Sequence, residues 1–101
     1  MPAVCRVDDS LSTGHICSST TTIDSSATDG TVKANGINII VVGAPTVAHP
    51  FPPAPPCAPH VANLNEGSGS VFINGIGVGR VDDSADAGAM TSGSPNVFVG
   101  D

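Results

Sequence analysis

The chain reads as an all-β fold of short hairpins, and three observations predict it. Val, Ile, Thr, Ser, Gly and Asp make up more than half of its 101 residues, and apart from Ala the strong helix formers are scarce, with a single Glu. No segment sustains a helical period. Asn35-Gly36 and Asn74-Gly75 each stand between β-rich runs. Asn-Gly is the strongest short hairpin signal, because a type I′ turn needs φ > 0 at both central residues.

The hairpins belong to an internal repeat. Arg6-Val7-Asp8-Asp9-Ser10 recurs as Arg80-Val81-Asp82-Asp83-Ser84. Thr31-Val32-Lys33-Ala34-Asn35-Gly36-Ile37 is matched by Ser70-Val71-Phe72-Ile73-Asn74-Gly75-Ile76, and Ser94 to Asp101 reads as a third copy cut off at its turn. Aligning Val42 with Val7 and Val81 gives three units of strand, turn, strand and polar loop. The fold expected is a compact all-β body with approximate three-fold pseudosymmetry, a single domain over residues 1–101, with loops at matching positions gathered at one end.

Length and charge narrow the function. A chain this short buries only about 60–70% of the surface that its unfolded form exposes, so its core is thin, and three Phe with no Trp or Tyr make it thinner. The net charge of −6 leaves no basic patch, which argues against nucleic-acid binding. No basic segment precedes an apolar stretch, so no signal peptide is expected. The longest apolar run, Ile39 to Ala44, is far below the roughly 20 residues a helical span needs. Three cysteines is an odd number, and together with the missing signal it disfavours a disulfide framework and points to synthesis in a cytoplasm.

The segment from His49 to His60 carries the chemistry. It holds two of the three histidines, one cysteine and six of the nine prolines. Prolines fix φ and disfavour helix and central strand, so a stiff loop is expected. Cys57 and His60 stand in a Cys-x-x-His spacing, which presents a thiolate and an imidazole to one ion. His15 falls at the matching place of the first loop, and Ala89 occupies that place in the third. His15, His49, Cys57 and His60 thus form a candidate metal set of the kind that suits one tetrahedral Zn²⁺, with iron second. A lone loop histidine is usually solvated; three histidines in one register, one of them three residues from a cysteine, favour a ligand set.

Other polar residues take blander readings. Cys17 competes as a ligand, but a small buried hydrophobe is the favoured reading, and Cys5 reads as core. The Asp pairs read as turn residues bonding their own backbone, with Arg6 and Arg80 as partners. Ser18 to Thr22 reads as an exposed loop. No nucleophile elbow, phosphate loop or dinucleotide fingerprint is present, and four ligands would close the zinc shell that catalysis keeps open. A small zinc-dependent hydrolase acting on envelope polymers is the alternative.

The Asn-Gly-x-x-x-x-Arg-Val-Asp-Asp unit, the Gly14-His15 loop and the Cys-x-x-His before Gly69-Ser70-Val71-Phe72-Ile73-Asn74-Gly75 resemble PAAR-repeat proteins over nearly the whole chain. The Pro-Ala-Ala-Arg tetrapeptide itself is replaced by Ala3-Val4-Cys5-Arg6 and Gly77-Val78-Gly79-Arg80. The resemblance implies a small pointed cone of short strands, a structural, non-enzymatic tip that caps a trimeric β-helical spike of a type VI secretion system or contractile phage tail. It implies zinc held near the apex by His15, His49, Cys57 and His60, one copy per spike, transient contact with the target membrane and delivery outside on contraction. With its last residue on the last repeat strand, the chain reads as a bare tip without a fused effector.

Overall fold

Three short segments, residues 4–6, 39–41 and 78–80, close on one another through the bridges Val4 to Arg80, Arg6 to Ile39 and Val41 to Val78. The computed structural model describes residues 2–25, 32–51 and 58–100. At the centre of the closure, the Cys5 N–H donates to the Gly79 carbonyl at 2.9 Å and the Gly79 N–H to the Ile40 carbonyl at 2.9 Å. The Ile40 N–H completes the ring by donating to the Cys5 carbonyl at 3.2 Å. Such a closed ring leaves none of the three segments with a free inner edge. A Cβ at Gly79 would lie 2.7 Å from a Leu64 methyl and 3.1 Å from Ile40 Cγ1, so only a hydrogen fits there.

Each segment runs into a tight turn of one design. The N–H groups of Asp9, Ala44 and Asp83 donate to the carbonyls of Arg6, Val41 and Arg80, each at 3.0 Å. The third residue of each turn takes positive φ: Asp8 at 71°, Gly43 at 94° and Asp82 at 77°. Type II turns require that conformation, and Asp tolerates it better than most residues. Asp9 also accepts from the Arg6 N–H at 2.7 Å and from its guanidinium, and Asp83 does the same for Arg80. The Asp pairs are therefore turn residues with arginine partners, as their register in the sequence implied.

Beyond each turn the chain makes an excursion and returns on a buried apolar residue. Ile23, Leu64 and Met90 donate their N–H to Asp9, Ala44 and Asp83, and accept from Asp8, Gly43 and Asp82. The first excursion carries β1 (Ser10–Ser12) and β2 (Thr20–Thr22). Between the first and second lie β3 (Lys33–Ala34) and β4 (Ile37–Asn38). The second carries β5 (His49–Phe51) and β6 (Ala58–His60), followed by the hairpin of β7 (Phe72–Ile73) and β8 (Ile76–Gly77). The third carries β9 (Ser84–Ala85) and β10 (Gly88–Met90). All pairings are antiparallel, and β2-β1-β10-β9 form one sheet. Among the described residues there is no helix, and none that could cross a membrane.

The Asn-Gly turns are as expected: Asn35 and Gly36 have φ of 57° and 77°, Asn74 and Gly75 of 53° and 80°. Two expectations are corrected. Thr20–Thr22 is a strand rather than an open loop, because β1 offers it a ladder from Ser10 to Ser12. The ends of the proline segment also pair, Pro50 opposite Pro59. A two-stranded ladder has only edge strands, where a missing N–H is tolerated.

The core follows the repeat. Cys5, Leu11, Ile23, Ile40, Leu64, Ala85 and Met90 form its main cluster with Val7 and Ala44. Val4, Ala34 and Val78 make a second, smaller cluster flanked by Ile39, Ile73, Val97 and Val99.

Candidate metal centre

The excursions bring three imidazoles and one carboxylate to a single point. His15 lies between β1 and β2, and His49 and His60 sit directly opposite each other on β5 and β6. Asp86 occupies the turn between β9 and β10 at φ 54°. The Nε2 atoms of His15 and His60 lie 3.3 and 2.9 Å from that of His49. Asp86 Oδ2 stands 2.9 Å from His15, 2.7 Å from His49 and 3.3 Å from His60. All four ligating atoms fall within 4.8 Å of one another, so this group could hold a metal ion.

Backbone carbonyls aim two of the rings. His15 Nδ1 pairs with the Ile16 carbonyl at 2.9 Å and His49 Nδ1 with the Val47 carbonyl at 2.8 Å. A carbonyl only accepts, so each Nδ1 carries a proton and Nε2 faces the centre, donating to Asp86 when it bears a proton and offering a lone pair to a cation when it does not. Metal-binding histidines are commonly fixed in this way. The loop around His15 is braced by Thr13, which is fully buried and hydrogen-bonds to the carbonyl of Ser18. The His15 and His49 rings stack 8° from parallel, while His60 meets both edge-on.

Electrostatics work in the same direction. The backbone bond to Ile16 raises the pKa of His15; burial opposes this and Asp86 reinforces it. Burial resists ionisation of Asp86, but hydrogen bonds from His15, His49 and His60 outweigh it and hold its carboxyl below the usual range. Asp86 is thus an anion among three nitrogens, and lone pairs only about 3 Å apart repel unless a proton or a cation sits between them. The edge of a tetrahedron around Zn²⁺, with bonds of about 2.0–2.1 Å, is about 3.3 Å. Five of the six separations, 2.7 to 3.3 Å, lie at or somewhat below that edge, and all four atoms are within 4.8 Å of one another. The donor set therefore fits a first-row divalent ion.

Three of the four ligands expected from the sequence, His15, His49 and His60, come together. Cys57 lies outside the described residues, as does residue range 52–56 of the proline segment. Cys17 is exposed at φ 80° and disulfide-bonded, which corrects its reading as a buried hydrophobe and runs against the expectation that disfavoured a disulfide framework. The third unit is not a gap filled by Ala89. Ala89 lies in the β1–β10 ladder opposite Ser12, and Asp86 fills the corner instead. Asp86 is the one titratable residue between Ser84 and Ala89, the only sign of it that the sequence carries.

No protein-family model matches the chain, and no curated protein matches it.

Proposed function

We propose that this chain is a metal-stabilised structural tip that seats on a trimeric β-helical spike of a contractile injection machine. One observation carries the proposal: a single chain closes a ring whose three members repeat bridge, turn and return bond for bond. Three-fold pseudosymmetry within one polypeptide is what a cap for a three-fold spike requires. The elongated envelope, 41 × 23 × 23 Å, agrees with a cone.

The ring also separates two ends. β4 and β8 lead into segments 39–41 and 78–80, whose far ends lead out to the excursions. Metal ligands belong to the excursion end. Ile37, Phe72 and Ile76, exposed on the hairpins, belong to the other end, where Phe98 and Val71 are exposed too. Apolar groups and short ladders at that end suit the terminal strand edges of a β-helix. At the apex, where little can be buried, an ion held by His15, His49 and His60 would replace a core. Zinc suits three imidazoles and would cross-link the excursions without redox chemistry of its own. Contraction would then drive a braced point into the target envelope.

Mixing the chain with a trimeric β-helical spike protein tests this directly. The expected product is a complex of one chain per trimer, weakened by Phe72→Asp and Phe98→Asp. Failure to bind any such spike, with the metal loaded, would overturn the proposal. The alternative of a zinc hydrolase requires an open coordination position and a base outside the ligand shell. Asp86, the carboxylate nearest the imidazoles, points into the cluster itself, which favours the structural reading.

A further inference from the structure

We infer that the Asp86 carboxylate is the fourth ligand of the metal centre, so that the ion ties together all three excursions of the chain. This rests on the reading of the imidazole cluster as a metal site. Without Asp86 the site joins only the first excursion to the second, through His15 and the β5–β6 pair. With it, the third excursion is locked to both.

Three observations support Asp86. Its Oδ2 lies 2.7 to 3.3 Å from all three Nε2 atoms, within ligand spacing of each imidazole. Its side chain is only 5% exposed, and burying a carboxylate calls for a cationic partner. No lysine or arginine ion-pairs with it among the described residues, and the two arginines are engaged at Asp9 and Asp83. The partners it has are the same nitrogens that offer lone pairs to an ion. A divalent cation resolves both demands at once: it accepts the lone pairs and neutralises the carboxylate.

The available thiols point the same way. Cys5 is fully buried in the ring, with its Sγ 3.3 Å from the Ser92 carbonyl, and Cys17 is disulfide-bonded. The described residues therefore bring no thiolate to the imidazoles. A carboxylate in place of a thiolate also hardens the site. Oxygen and imidazole donors admit Fe²⁺ and Mn²⁺ more readily than a set containing sulfur, which favours zinc.

X-ray absorption at the metal edge of the zinc-loaded full chain decides the question, read together with metal affinity. The expected result is a shell of nitrogen and oxygen only, at about 2.0–2.1 Å. Asp86→Asn should weaken zinc by more than the roughly 100-fold that loss of a mere orienting group costs. A sulfur scatterer at about 2.3 Å would overturn the assignment while leaving the metal site standing. Unchanged affinity in Asp86→Asn would overturn it too, with water as the fourth ligand. Protein that takes up no metal at all would sink the site as a whole. Should Asp86→Asn fold poorly, cobalt substitution of the wild type gives the same answer. A thiolate-to-cobalt charge-transfer band overturns the assignment, and its absence from a tetrahedral spectrum supports it.

Discussion

Asp83 and Asp9 each fold an arginine back over their own turn, and the two side chains are nearly buried. Removing one partner of such a pair strands the other, a loss of about 3 kcal/mol when the site is closed to water. Asp83→Ala should therefore lower stability by about that amount in urea unfolding; a loss near zero would mean that the turn holds without its brace. Glycines separate strain from space at the same scale. At Gly75, φ is 80° and no atom lies within 4 Å of an added Cβ. Gly75→Ala should cost only about 1–2 kcal/mol of left-handed strain. At Gly88 the added Cβ would sit 2.0 Å from the Ser12 carbonyl oxygen, so Gly88→Ala must push β10 off β1. Its expected loss is about 3 kcal/mol, and the order Gly88 above Gly75 is what unfolding curves should show. Cys5 adds a pH effect. Burial, with Asp9 next, pushes its thiol far above the ordinary range. The unfolded thiol ionises first, so stability is intact below about pH 8.5 and falls as pH rises beyond it. Cys5→Ala should flatten that alkaline fall, whatever it costs at neutral pH; an unchanged slope would contradict the burial of the thiol.

At the scale of elements, the excursions are thin structures that need the ion. Among the described residues the strands β5 and β6 pair only with each other, and a lone two-stranded hairpin is marginal in water. Chelation should therefore raise amide exchange in β5 and β6 far more than in residues 39–41 and 78–80 of the ring. Uniform exchange in loaded and stripped protein would show that the cluster contributes nothing to the hairpin. Metal binding needs neutral imidazoles, so protection of β5–β6 should fade on acidification and return as pH rises.

For the whole molecule, an ion that binds only the folded chain adds stability by mass action. At about 1,000 times its dissociation constant the gain is about 4 kcal/mol. In a domain of this size that raises Tm by roughly 15–20 °C. A melting point indifferent to zinc and chelator would remove the stabilising role assigned to the centre. The ring explains why so thin a core suffices. Cys5, Ile40 and Gly79 exchange bonds around one axis, and Ile23, Leu64 and Met90 close over it from three parts of the chain.

Much of this was legible in the residues. The repeated Arg-Val-Asp-Asp-Ser and the two Asn-Gly pairs determined the turns, because few residues tolerate the positive φ those turns demand. Spacing alone placed His15, His49 and His60 in one register. Tertiary structure decided how the units close and what completes the centre. The exchange of bonds among Cys5, Ile40 and Gly79 leaves no pattern in the chain, since backbone groups are alike at every position. Asp86 went unseen for a related reason. A carboxylate in a tight turn ordinarily bonds its own backbone, and only the pairing of β10 with β1 swings that turn onto the imidazoles of the other two excursions.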